Sequence, residues 1–234
     1  MTTTSGAERS STMREPLGTG RLLPLGEAED GAWLTESAAR AVLLRGLAPV
    51  RGVVPGRLRV GLAEVGPRAP FPVPPGGLPP GPLRITAELA VAAGRLVDRP
   101  LPVVAEEVRQ VLFAEAERAL GLMVTAVDLR VTGLVETAPD SPAPTPPPGR
   151  TAPLDEEDPV ARAMVGVEGV AGLTSVLGAP VHRSAGALRV ELAVADGHRA
   201  LDVARTARTR ATVTAPEGTT VTVLVSEIRP SEAH

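Results

Sequence analysis

The sequence predicts an α+β fold made of two tandem small domains, each a roughly three- to four-stranded sheet covered by two helices. Three observations predict it. An order of helix, strand, strand, helix, strand reads twice along the chain, a proline-rich stretch separates the two readings, and the apolar residues of each segment recur with a helix or strand period. A chain of 234 residues has room for two such units.

Residues 1–21, rich in Ser and Thr, read as a disordered tail, and the first domain spans 22–136. A short strand is expected near Ala32 to Leu34. In "TESAARAVLLRGLAPVRGV" the residues Ala39, Val42, Leu43, Gly46 and Leu47 fall at i, i+3, i+4, i+7 and i+8 behind Thr35, an N-cap residue. That pattern is a helix entering a Gly-Val turn. "GRLRVGLAEV" and "PLRITAELAVAAG" follow as strands, with Leu58, Val60, Leu62 and then Leu83, Ile85, Ala87, Leu89 on one face. Between them, "PRAPFPVPPGGLPPGP" at 67–82 is a long loop within the domain. A helix over 102–120 stops at Gly121, and a strand over 123–132 closes the unit.

"TAPDSPAPTPPPGRTAP", 137–153, is a stiff polyproline linker. The second domain, 154–230, repeats the order in shorter form before a tail at 231–234. Asp158 caps a helix with Pro159 at its first position, and a shift of 117 residues superposes Leu43, Gly46, Leu47, Val50, Gly52 and Val53 on Val160, Ala163, Met164, Val167, Gly169 and Val170. "LTSVLGAP" and "ALRVELAVADG" read as its two strands, the latter matching "PLRITAELAV" at a shift of 105. A helix over 199–211, a stop at "PEG" and a strand over 219–228 complete it.

Composition narrows the function classes. All 24 basic residues are Arg and cysteine is absent, which removes disulfides, a thiolate nucleophile and thiolate metal sites. His182, His198 and His234 show no metal-ligand spacing. A formal charge of −3 supplies no global basic field for nucleic acid. No signal-peptide core and no apolar run of ~18 residues occur, so the expectation is a cytoplasmic protein without a transmembrane segment. Trp33, Phe71 and Phe113 are the only aromatics, and Trp33 and Phe113 read as core or contact residues.

The glutamates of "LPVVAEEVRQVLFAEAERALGLMVTAVDLRV" are the first candidates for acid–base chemistry. Helical projection puts Leu101, Val104, Val108, Val111, Leu112 and Ala119 on one side and Glu106, Gln110, Glu117 and Glu107 on the other, so most are a solvated face. Glu115 falls at the edge of the apolar stripe; it and Phe113 are the candidate interface residues. In the matching helix of the second repeat, Arg199, Arg205, Arg208 and Arg210 flank an alanine-rich stripe and are candidate contacts to a partner or an anionic surface. With no GxGxxG, GxxxxGK[ST] or GxSxG motif, the sequence predicts no catalytic residues, no cofactor and no metal. An enzyme would require a cleft around Glu115, Asp128 or His198.

The first repeat resembles the alkaline shock protein family, the envelope stress response proteins of Gram-positive bacteria. The resemblance rests on "TESAARAVLLRGLAPVRGV" and on "PLPVVAEEVRQVLFAEAERALGLMVTAVDLRVTGL", with its valine-rich helix, Glu-Glu-Val core, Gly stop and Val-x-Val strand before a Gly. It covers residues 33–134; the second copy looks degenerate. The resemblance implies a non-enzymatic protein that self-associates and is held near the membrane by a small anchor protein, with no catalytic residues to carry over. The expected function is an envelope stress-associated scaffold or adaptor at the inner membrane face. The alternative is nucleic-acid binding through the Arg-flanked helix.

Overall fold

The computed structural model describes residues 20–64, 66, 70, 72–95, 99–136, 151–153, 155 and 157–230. Residues 1–19 of the expected 1–21 tail, the tail at 231–234, Phe71 and most of the proline linker lie outside the described residues, while Arg21 is bonded to Glu36 and Val60. Nine strands and four α-helices are present among them: β1 (Leu22–Pro24), β2 (Ala32–Thr35), α1 (Glu36–Leu47), β3 (Val53–Leu62), β4 (Leu83–Ala92), α2 (Leu101–Glu115), β5 (Val124–Val135), α3 (Pro159–Val165), β6 (Val170–Leu173), β7 (Val181–Ser184), β8 (Ala187–Ala195), α4 (Ala200–Thr214) and β9 (Thr220–Arg229). The α+β class is the one the periodicities predict.

The two readings of helix, strand, strand, helix, strand share pairings and turn bonds. In the first copy β3 runs antiparallel to β4, and β4 parallel to β5; in the second, β6 and β7 lie end to end antiparallel to β8, and β8 parallel to β9. Val50 N–H donates to the Leu47 carbonyl as Val167 N–H does to Met164, and the Gly52 carbonyl accepts from Ala92 N–H as Gly169 does from Ala195, each pair 117 residues apart at its turn. Gly52 and Gly169 both have left-handed φ, +80° and +83°, a conformation in which a Cβ would be strained. Thr35 and Asp158 cap the first helix of each copy, Thr35 accepting from Ala38 N–H and Asp158 from Val160 and Ala161 N–H.

The sheets differ from the expectation of three or four strands apiece. One has three strands, β3-β4-β5, and the other six, because β1 and β2 leave the first copy and extend the second: β2 pairs parallel with β9, Ala32 opposite Val223 and Leu34 opposite Val225. Apolar residues of both sheets and all four helices form one contiguous core, and α1 packs against β3 on one side and against β2 and β9 on the other. The two copies therefore share a hydrophobic interior. The segment "LTSVLGAP", expected as a strand, is mostly a loop across the second sheet, with β6 ending inside it at Leu173 and β7 beginning after it.

Thr35 is the joint between the copies. Its hydroxyl caps α1 and donates to the Ser226 carbonyl at 2.7 Å. Ser226 is the extra residue where β9 slips register against β8, so the bulge leaves that buried carbonyl in need of a donor. Trp33, 1% exposed, clamps the outer side of the same sheet with Leu22 and Leu224, and its Nε1–H donates to the Leu78 carbonyl at 3.0 Å. The proline-rich loop is thereby tied down, and Leu22 and Gly77 form a bridge along the outer edge of β1.

Replacing Thr35 with Ala removes a helix cap and orphans the Ser226 carbonyl, and is expected to cost about 2 to 3 kcal/mol. Thr35→Ser keeps the hydroxyl and should cost under about 1 kcal/mol by the same reasoning. Urea denaturation of the two variants measures the difference; equal costs would show that the hydroxyl is not the joint.

Candidate functional site

The basic helix is largely closed by internal bonds. Arg199, at the N-cap of α4, donates through Nε to the Glu117 carbonyl at 3.0 Å and through NH2 to the Glu117 carboxylate at 2.6 Å. Arg205 grips Asp30, in the turn between β1 and β2, with two bonds of 2.7 and 2.9 Å. Arg208 donates to the carbonyls of Val221 and Glu29. Burial pushes the Asp30 carboxyl up, but the bonds from Arg205 and the Glu27 N–H, with the charges of Arg205 and Arg208, outweigh it and hold the group below its usual range. Three of the four arginines on this helix thus fasten α4 to the first copy and to the β1–β2 turn. Arg210 is exposed, with no carboxylate partner among the described residues.

The glutamates of α2 divide as the projection suggests. Glu106 lies 3.5 Å from Arg109, Glu107 2.6 Å from Arg99, and Glu117 reaches Arg199. Glu115 is mostly buried: it pairs with Arg118 and packs against Gly46 of α1, where any added Cβ would collide with it. That contact explains the helical glycine at 46, which lets α1 and α2 approach closely. Phe113 is two residues away, 37% exposed. The structure does not bring the two together on one surface, since two residues turn an α-helix by about 200°.

Asp128 lies on the outer face of the three-stranded sheet, 2.6 Å from Arg84, while His198 sits before α4 with Nε2 3.9 Å from Glu168 and a buried Nδ1 without a partner. Glu115, Asp128 and His198 occupy separate places: the α1–α2 contact, an open sheet face and the turn before α4. Among the described residues no group of three or more His, Asp or Glu is arranged to hold a metal ion, and no helix is long and apolar enough to cross a membrane.

Two buried carboxylates were not singled out in the sequence. Glu36, 4% exposed, accepts from Val60 N–H at 3.1 Å, while Arg21 NH2 donates to the Val60 carbonyl, so the pair occupies the free edge of β3. Glu191, fully buried in β8, accepts from Thr174 Oγ1 (2.8 Å), Val176 N–H (2.7 Å) and Leu177 N–H (3.0 Å), and Thr174 meets Ser226 Oγ. This cluster seats the 174–177 loop on the sheet. Burial drives the Glu191 carboxyl above its usual range, and the Thr174, Leu177 and Val176 bonds with the Arg189 charge offset only part of that. The sequence signal was a lone Glu inside the near-continuous apolar run "ALRVELAVA", the mark of a strand buried on both faces.

One open sheet face belongs to the first copy. The outer face of its sheet carries Arg59, Arg84, Thr86, Asp128 and Arg130 in solvent, and β5 pairs only with β4 among the described residues. Fold and surfaces define an α+β protein with one sheet whose central strands are buried and one sheet with an open face. Comparison with known proteins finds no matching family model, no matching curated protein and no matching solved structure.

Glu191 gives a pH dependence of unusual sign. Because its folded carboxyl holds a proton more tightly than the unfolded one, stability should fall as pH rises from the ordinary value of 4.5 through the raised folded value. Asp30 and Asp158 act oppositely, with stability lost as pH falls below their ordinary 3.8. Urea midpoints taken upward from about pH 4.5 should decline in the native chain and stay level in E191Q. An identical decline in both would remove Glu191 as the cause.

Proposed function

We propose that the protein is a non-enzymatic scaffold or adaptor that acts through protein–protein contacts, associated with envelope stress and working at the inner face of the cell membrane. The observation that carries the reading is the asymmetry between the two sheets. The second sheet has its central strands β8 and β9 largely buried and its β1 edge occupied by Gly77 and Leu78, whereas the first offers a charged open face and a strand, β5, whose outer edge is unpaired among the described residues. Unpaired strand edges are managed or used, and β5, at 12 residues, is the longest strand left with one among the described residues.

The resemblance of residues 33–134 to alkaline shock proteins supports the same reading and supplies its location: self-association and a small membrane-anchor partner, with no span of its own required. The Arg-flanked helix supports the nucleic-acid alternative less well, because Arg199, Arg205 and Arg208 already hold carboxylates or carbonyls. Binding phosphates would mean giving up those bonds.

An affinity pull-down from native membranes tests the proposal. The full chain is expected to retain a small membrane protein, and R130D, on the open sheet face, should lose it. Recovery of nucleic acid instead, with affinity falling with salt by a log-log slope of about −0.9 per phosphate, would favour the alternative. Failure to retain any membrane-associated partner contradicts the scaffold reading.

A further inference from the structure

The free edge of β5 is symmetric about its own centre. Its register against β4 places Val124, Val127, Leu129, Val131 and Leu134 opposite Leu83, Ile85, Ala87, Leu89 and Val91, all buried, so these five point to the helix-covered side. Asp128 and Arg130 lie opposite the exposed Thr86 and the partly exposed Glu88 and point to the open face. Reading outward from Leu129 in either direction gives a charge, a valine, two small or polar residues, then Val124 or Leu134. The charges are of opposite sign.

An antiparallel strand of the same sequence, centred on Leu129, would set Asp128 against Arg130 of a second copy and Arg130 against its Asp128. On the other face, Leu129 would meet Leu129, Val127 would meet Val131, and Val124 would meet Leu134. Directly opposed unlike charges and apolar pairs are the units that stabilise a sheet. Val131 and Leu134 are 36% and 60% exposed, and this pairing covers them.

The flanking helix fits as well. Because α1 lies over β3 and α2 over β5, and Glu115 faces α1 at Gly46, Phe113 faces away from α1, on the flank beyond β5. The chain's own continuation is a poor occupant, since 137–150 carries Pro139, Pro142, Pro144, Pro146, Pro147 and Pro148, and proline has no N–H for a ladder.

We propose that two copies of this chain pair through β5, antiparallel about Leu129, fusing their three-stranded sheets into one continuous sheet with an isologous two-fold interface. The proposal rests on the reading of the protein as a contact scaffold and names its partner as a second copy. Across the joint the open face would carry Arg84 and Asp128 of one copy beside Arg130 and Glu88 of the other, a row of alternating sign.

Analytical ultracentrifugation of the full chain tests it with a complementary pair of variants. R130D places two like-charged pairs across the joint, each of them Asp128 against the introduced aspartate of the other copy, and D128R does the same with arginines. Each alone should dimerise at least about tenfold more weakly than the native chain, and an equimolar mixture should recover dimer, because aspartate meets arginine at both positions. Circular dichroism melts establish that each variant is folded. A native chain that is monomeric at tens of micromolar, or a mixture no more dimeric than either variant, overturns the proposal. A monomeric native chain that still retains a membrane partner, lost in R130D, overturns self-pairing while leaving the scaffold reading in place; loss of both removes both.

Discussion

The parallel pairing of β2 with β9 joins residues nearly the whole chain apart, and the rest of the architecture follows from it. The Thr35 hydroxyl accepts from Ala38 N–H to cap α1 and donates to the Ser226 carbonyl, 191 positions away, at the bulge in β9. Once β2 lies beside β9, α1 is fixed between the two sheets, because it begins at the residue where β2 ends. The first copy's helices then face the second copy's sheet across one core, and Arg199, Arg205 and Arg208 of α4 come within reach of Glu117, Asp30 and the Glu29 carbonyl.

This interlocking makes the two copies unequal. The second copy's central strands β8 and β9 are largely buried and its interior contains the polar cluster of Thr174, Glu191 and Ser226, whose bonds are satisfied only while the 174–177 loop is seated. A buried carboxylate of that kind is costly unless fully bonded, so it rewards a single arrangement of the loop. The first copy contributes its strands β1 and β2 and its proline-rich loop to cover its neighbour, and keeps its own sheet face open.

Much of this was legible from spacing alone. The two periods located the helices and most strands, Thr35 and Asp158 announced the helix starts, and the 117-residue shift found paired turns that share the same hydrogen bonds. Local pattern could not say which sheet β2 would join, because Ala32 to Thr35 looks the same beside either, and pairing across 191 residues leaves no local mark. For the same reason the arginines of α4 read as a basic surface: their spacing was visible, while their partners Asp30 and Glu117 belong to distant turns. The "LTSVLGAP" segment misled because only Leu173 is in a strand; Val176 and Leu177 follow as a loop, their N–H groups held by the Glu191 carboxylate rather than by a strand ladder.

The central claim is that the copies are one cooperative body held by β2 on β9, and cutting the chain between residues 137 and 150 tests it most directly. With a protease site introduced there and cleaved, the two fragments should co-elute on size exclusion without denaturant and unfold in a single urea transition. Fragments that separate in native buffer, or that unfold in two independent steps, would contradict the account.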